Sequence, residues 1–437
     1  MRLFKGKLKH SFTGTTQSGS GEVLSKNPIC QMFNVFIEFF LLVITCFLGC
    51  NSKKQVPIGD FITIQMVDSI KGNLNDSHLA LSYFVDKIDI IPLEFTDDCI
   101  LSQIGKVVIH EDNIFIIEPF ERRTCTVYRF DLKGNFLNSI GARGQGPLEL
   151  LELRDFSINE NNNSIYLLDN AKKTVFHFDF NGILIEKINI NQGASRLEFK
   201  NGFLYLYRDN PPASAEHLYN LIIRNTKGEL VKMYIPSNTE YLISGERKIF
   251  TKTNDGLFFK QAMDDTIYYL DRDSLKYHIF FDFGSYRFTQ EEIEDIYMMR
   301  QKAFNILLQN ERLSIIDHFY QIGNWYYFNA IYKIMSHSFL YNKKCGDIKV
   351  ASRLYDDLEY MFYDNKFYGQ TQDAFIGIYF PETKLERDMT RFSRYEKEGY
   401  ISTAFKEKQL TKINSIMRGD KPENMNPWIL LYYLKKE

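Results

Sequence analysis

VVIHEDNIFIIEPFERRTCTVYRFDLKGNFLNSIG, residues 107–141, and FSINENNNSIYLLDNAKKTVFHFDFNGILIEKINI, residues 156–190, read as two copies of one unit. In each, two short alternating apolar runs are followed by a third run ending on Asp, an Asp-x-x-Gly turn and a fourth run. Gly134 and Gly182 are 48 residues apart, and Gly228, in a third copy at 203–235, follows Gly182 by 46. A fourth copy at 257–283 has Asp271-Arg272-Asp273-Ser274 where the turn belongs, without its glycine. Asp or Asn followed by Gly between alternating runs marks a hairpin, because glycine reaches positive φ without a Cβ clash. Each copy is therefore expected to form about four antiparallel strands. Such a sheet cannot bury both faces alone, so it stacks radially on its neighbours as a propeller blade.

The repeat decays after the fourth copy. Residues 312–351 and 358–380 are read as a fifth blade and part of a sixth, and Asn426-Pro427 introduces a last apolar strand starting at Trp428. A ring must close, and the strand Trp428 to Leu434 is predicted to pair with strands near Phe84 to Phe95. Two helical insertions are expected. Thr289-x-x-Glu292 has the form of a capping box, with Ile293, Ile296 and Tyr297 at helical spacing behind it. Leu410, Ile413, Ile416 and Met417 mark a second short helix ending near Gly419. Both are expected to pack against the rim of the ring or over a channel mouth.

Composition supports an all-β chain: the 437 residues include 37 Phe, 27 Tyr and 2 Trp, and aromatic side chains favour half-buried pleated surfaces. Lys and Arg number 53 against 55 Asp and Glu, which gives no basic excess of the kind a nucleic-acid partner demands. The apolar stretch at 32–49 has a run from Phe39 to Leu48 free of charge and broken only by Thr45, too short for the ~20 residues of a membrane span and suited to a signal peptide. Phe47-Leu48-Gly49-Cys50 matches a bacterial lipobox, in which the cysteine is lipidated and becomes the new N-terminus. The expected organisation is a signal region at 1–49, with Met32 as an alternative start, a lipidated linker at 50–83, and a propeller at 84–437. Cys99, Cys125 and Cys345 are expected to be free thiols, although Cys99 and Cys125 are the pair an oxidising envelope would join.

Gly141-Ala142-Arg143-Gly144-Gln145-Gly146-Pro147-Leu148-Glu149, the strand Ile165 to Asp169 and the closing Asn426-Pro427 together resemble the six-bladed β-propeller lipoproteins of Bacteroidetes, relatives of the NHL-repeat propellers. The resemblance runs from about Ile90 to the end of the chain, with Leu148 where the family usually has Gly. It implies six blades, where spacing alone allows six to eight, and a place in the cell envelope. It implies little about chemistry.

Candidate site residues are few. Arg143, Gln145 and Glu149 lie in the glycine-rich loop, where a guanidinium can clamp a carboxylate or stack on a ring. Trp325 heads a Trp-Tyr-Tyr run able to offer a stacking platform for a glycan. His318 lies in the fifth copy, with His337 as a potential neighbour. Glu118, Asp169 and Asp271 are read as comparable second-strand ends, able in principle to converge on Ca2+ or another divalent cation, although acidic residues there more often cap turns. With no cofactor motif, no zinc spacing and no G-x-S-x-G elbow, the expected function is an envelope-anchored module, tied to the membrane by its lipid and binding a protein or glycan ligand. The alternative is a cation-dependent propeller hydrolase or lyase acting on an envelope or imported polymer. A periplasm-facing orientation is preferred, because Asn51-Ser52-Lys53-Lys54 lacks the acidic run of surface display.

Overall fold

The computed structural model describes residues 58–436 apart from 120–123, 209–217, 238–247, 262–263, 299–308, 310, 360–365 and 400. Cys50 and the signal region lie outside the described residues. Six sheets follow one another along the chain, each running from an innermost to an outermost strand. Blade 1 comprises Lys106–His110, Asn113–Ile117, Val127–Asp131 and Phe136–Ile140. Blade 2 comprises Leu153–Asn159, Ser164–Asp169, Thr174–Asp179 and Leu184–Asn189. Blade 3 comprises Arg196–Lys200, Phe203–Tyr207, Tyr219–Asn225 and Leu230–Pro236. Blade 4 runs from Phe250–Lys252 through Leu257–Lys260 and Thr266–Asp271 to Ser274–Asp282, and blade 5 from Leu313–Ile322 through Trp325–Tyr332 and Met335–Asn342 to Ile348–Ala351. Blade 6 joins Gly369–Gln370, Ala374–Tyr379 and Trp428–Leu434 to the N-terminal strand Val85–Pro92.

The ring closes as predicted. Trp428 pairs with Pro92, Leu430 with Ile90 and Leu434 with Val85, in antiparallel register. The fold is a six-bladed β-propeller of four-stranded antiparallel blades, and blade 4 carries a fifth strand. That strand, Ile58–Gln65, lies parallel to Ser274–Asp282 on the blade's outer edge. A short parallel pair also joins His78–Ala80 to Arg353–Tyr355. The stretch expected as a linker up to residue 83 is thus partly built into the sheets from Ile58 onward.

The period-2 pattern explains why the blades stack. Successive residues of one strand face opposite neighbours: Ile165 and Leu167 pack between blades 1 and 2, whereas Tyr166 and Leu168 pack between blades 2 and 3. Phe258 points toward blade 5, and its neighbours Leu257 and Phe259 toward blade 3. Six hydrophobic clusters result, one per blade interface.

The repeating turn has one construction in the first three blades. Asp131 Oδ1 accepts from the N–H groups of Lys133 and Asn135, and Asp179 and Asn225 do the same in their turns. Gly134 has φ +88, and a Cβ there would sit 1.9 Å from the carbonyl oxygen of Pro92. Glycine is thus required both by the turn and by the close approach of the preceding blade. In blade 4 the turn is tighter: Asp271 pairs directly with Ser274, and Arg272 takes the positive φ of +53.

The capping box forms as expected, the Thr289 N–H donating to Glu292 Oε2 at 2.8 Å and the Glu292 N–H to Thr289 Oγ1 at 3.2 Å. The helix Thr403–Met417 also forms, with Ser402 accepting from the Phe405 N–H. It is preceded by a longer helix that the sequence reading did not anticipate, Pro381–Lys397. Leu385, Phe392 and Ile413 of this pair are buried in the cluster between blades 5 and 6, so the insertion packs on the blades.

Candidate functional site

The blade 1–2 connection is held by its own acidic residue. Glu149 folds back into the loop, where its Oε2 accepts from the Gly146 N–H at 2.7 Å. A Cβ on Gly144 would lie 1.8 Å from that oxygen, so the glycines make room for the carboxylate. Lys172 completes the clasp by donating to the carbonyls of Gly146 and Glu149 at 2.9 and 2.6 Å. Glu149 is therefore spent on shaping the loop. Gln145 and Arg143 remain exposed.

Arg143 reaches a cleft of about 360 Å3 between blades 1 and 2, which opens at the end of the ring where the innermost strands begin. Its walls also carry Glu118, Glu152, Arg154 and Cys125. Glu118 accepts from the Ser102 N–H at 3.1 Å and from its hydroxyl at 2.9 Å. Glu152 accepts from the Arg154 guanidinium and from Asn170 Nδ2. Both carboxylates are thus engaged, while Arg143 makes no hydrogen bond or ion pair among the described residues. The glycine-rich loop and Glu118, distant in the sequence, meet at this cleft.

The remaining candidates fall elsewhere. Asp169 is fully buried and caps its own turn, accepting from the N–H groups of Leu151 and Lys172 at 2.7 and 2.9 Å. Asp271 ends the third strand of blade 4 and not the second, at the opposite end of the ring, 3.7 Å from Lys276. The missing glycine obscured that register. Glu118, Asp169 and Asp271 therefore do not converge, and no group of three or more His, Cys, Asp or Glu is placed to hold a metal ion among the described residues.

Trp325 offers no platform. It is 8% exposed and packs in the cluster between blades 5 and 6 with Tyr327, whereas Tyr326 fills the cluster between blades 4 and 5. Both faces of a central propeller strand are covered, so none of the three rings is left for a ligand. His318 lies in the innermost strand of blade 5, and its side chain falls outside the described residues. His337 is in the third strand, where its ring nitrogens meet the carbonyls of Met335 at 3.1 Å and Leu74 at 2.9 Å. Cys99, Cys125 and Cys345 are free thiols, and burial pushes Cys99 up to about 12.

One arrangement resembles a nucleophilic triad. His177 Nε2 lies 2.7 Å from Ser164 Oγ, and its Nδ1 lies 3.0 Å from Glu186 Oε1. A nucleophile must be reachable, however, and Ser164 is 1% exposed with a further bond to Asn162. The three residues come from three adjacent strands of blade 2, and the His177 ring stacks on Tyr166. The arrangement is a polar tie within the sheet.

The fold recurs in a solved structure. A Bacteroides fragilis NCTC 9343 protein bearing the name "putative exported protein" aligns with a TM-score of 0.65 at 15% identity, over 86% of this chain and all of that one. A member of the DUF4221 family from Bacteroides vulgatus ATCC 8482 aligns at 11% identity with a TM-score of 0.46, over 80% of this chain and 97% of that one. No curated protein matches the sequence. No described helix is long and apolar enough to cross a membrane. The profile of one family, described as Domain of unknown function (DUF4934), matches residues 61–433, and the chain belongs to that family.

Proposed function

We propose that the protein is an envelope lipoprotein, anchored through Cys50, whose propeller binds a carboxylate-bearing ligand in the cleft between blades 1 and 2. One observation carries the binding reading: the cleft holds an exposed guanidinium with no partner among the described residues, beside two carboxylates that are already engaged. Its volume lies within the ~300–1,000 Å3 usual for small-ligand sites. A guanidinium recognises a carboxylate through two parallel N–H bonds, which makes Arg143 the anchor and Arg154, held by Glu152, a support.

Export and lipidation rest on the apolar run ending at Cys50, and the name of the Bacteroides fragilis neighbour supports export. Cys50→Ala is expected to abolish incorporation of labelled palmitate and to move the protein out of the membrane fraction. Unchanged labelling would remove the anchor from the proposal. For the cleft, calorimetric titration with a uronic-acid disaccharide and with a short acidic peptide supplies the probes. Arg143→Ala is expected to weaken the probe that binds at least tenfold, about 1.4 kcal/mol. Gln145→Ala, in the same loop but outside the cleft walls, is expected to leave affinity unchanged. Equal affinities for the Arg143→Ala and unaltered proteins would show that the cleft is not the site.

A further inference from the structure

Blades 4 and 5 meet in an aromatic mouth at the end of the ring opposite the cleft. Their innermost strands finish there, and the connections that form this end of the two blades, 253–256, 272–273, 323–324 and 343–347, are all described. Strand register decides which side chains meet. Tyr326 is the cross-strand partner of both Gln321 and Tyr341, so the three share one face of blade 5. That face is turned to blade 4, because Tyr326 and Tyr341 pack in the cluster between the two blades. On the blade 4 side Tyr269 packs in the same cluster, and His278 occupies a bulge between Tyr277 and Ile279. A bulge re-aims its side chain, and the His278 ring lies against Phe258 and Tyr269, with centroids 5.1 and 5.9 Å away.

The rings of this mouth are held, whereas several of its polar tips are not used. Tyr341 stacks on Tyr326 at 5.9 Å, and Lys343 Nζ lies over the same ring at 5.2 Å. Tyr269 donates to the carbonyl of Asp255 at 3.0 Å, and Gln321 Nε2 donates to Asp255 Oδ2 at 3.3 Å. The Lys343 ammonium, the Tyr341 hydroxyl and the His278 ring nitrogens make no hydrogen bond or ion pair among the described residues, and all three residues are half-buried. Burial, helped by the Lys343 charge, holds the His278 imidazole below its usual range, so near neutral pH it keeps one donor and one acceptor nitrogen. At the inner end Gln321 is 9% exposed, and its Oε1 is a buried acceptor with no partner among the described residues.

We infer that this mouth between blades 4 and 5 binds a neutral saccharide. A pyranose has apolar C–H faces and a rim of hydroxyls that both donate and accept. The mouth offers the rings of Tyr269, His278 and Tyr341 to such faces, and tips that donate (Lys343), accept (Gln321) or do both (Tyr341, His278) to the rim. An anion has less reason to settle here, because the Asp255 carboxylate acts on Lys343 from the facing blade. From Gln321 in the first strand of blade 5 to Tyr341 in the third is two strand spacings, about 10 Å, which suits a short run of sugar units lying along the radius of the ring.

The test is calorimetric titration and thermal unfolding of the full chain in a sugar-free detergent, with glucose, mannose and galactose and with the linear hexasaccharide of each. Saturable binding of at least one probe is expected, with a matching rise in Tm. Lys343→Met is expected to weaken it at least tenfold and Tyr341→Phe at least threefold. Both changes keep the part of the side chain that packs on Tyr326, and the Tm of the sugar-free proteins checks that the fold is kept. Lys344→Met, the same change at the exposed next position, is expected to leave binding unchanged. Binding of the single sugars identifies one pyranose as sufficient, and binding of a hexasaccharide alone identifies a run of them. The proposal is overturned if no neutral sugar binds, if only a uronic-acid oligomer does, or if the folded Lys343→Met and Tyr341→Phe proteins bind as tightly as the unaltered chain.

Discussion

A chain ending before Trp428 is expected to lose its cooperative unfolding transition, and Trp428→Ala to lose about 4 kcal/mol of stability, within the range for emptying a buried aromatic site. Both effects follow from the position of one strand. Trp428–Leu434 is hydrogen-bonded on one side to Ala374–Tyr379 and on the other to Val85–Pro92. Its alternate residues serve two interfaces, Trp428 and Leu430 packing toward blade 5 and Ile429 and Leu431 toward blade 1. Removing it uncouples the N-terminal strand from the rest of blade 6 and opens two interfaces at once. Trp428 itself is fully buried, 5.3 Å from the Tyr379 ring. Its Nε1 has no partner among the described residues, so Trp428→Phe, which keeps an aromatic ring and removes that donor, is expected to cost far less than Trp428→Ala. Thermal and urea unfolding of the three proteins checks this, and a truncated chain that melts cooperatively at the original temperature would sink it.

The parts of this architecture that were legible in the sequence are those set by local rules. The Asp-x-x-Gly turn repeats because each hairpin needs the same backbone conformation, and the helix starting at Thr289 announces itself through its capping box. Ring closure was legible because an apolar strand left over at each end has one sensible partner. Other features depend on partners distant in sequence. Ile58–Gln65 adds to blade 4 from outside the repeat, in parallel register, and nothing within IGDFITIQ names that partner. The helix Pro381–Lys397 was hidden because its inward face, Leu385, Asp388 and Phe392, includes a carboxylate, which interrupts the apolar stripe. Asp388 is buried beside Tyr379 and Arg391, and desolvation holds its carboxyl above the usual range.

The site was only partly readable for the same reason. Arg143 could be singled out because it lies in a glycine-rich loop, where a guanidinium can clamp a carboxylate or stack on a ring. Its companions Glu152 and Arg154 were not, since they are charged residues at the edge of a strand with no visible pattern. The innermost strands carried a faint signal of their own: Lys106 and Lys252 are charges within the innermost run of a copy, and each lies beside a carboxylate, Asp155 and Glu160. Trp325 misled because an aromatic run looks like a platform until the second face of its strand is known to be covered.

Asn426→Ala is expected to cost about 3 kcal/mol or more, the second large effect, because this one amide satisfies three backbone groups, two of them on buried residues. Asn426 is fully buried. Its Oδ1 accepts from the Leu101 N–H at 2.7 Å, and its Nδ2 donates to the carbonyls of Glu94 at 2.6 Å and Cys99 at 2.9 Å. It therefore ties the chain leaving the N-terminal strand of blade 6 to the entry of the C-terminal strand, just before Trp428. Each buried group left without a partner costs roughly 1–3 kcal/mol. Asn426→Asp separates this account from mere loss of packing, because the shape is kept and only the donor is changed. An ionised carboxylate there would face two carbonyl oxygens, whereas a protonated one could still donate to one of them. The folded state should then bind a proton that the unfolded chain releases near pH ~3.9, so the stability of Asn426→Asp must fall as pH rises above that value. Asn426→Ala introduces no such group and should follow the pH profile of the unaltered protein. Urea unfolding of the three proteins between pH 5 and pH 8, on the order of the range where folded proteins are most stable, measures the difference. Parallel profiles for Asn426→Asp and Asn426→Ala would mean that the two carbonyls do not require a donor, and the closure would then rest on the strand pairing alone.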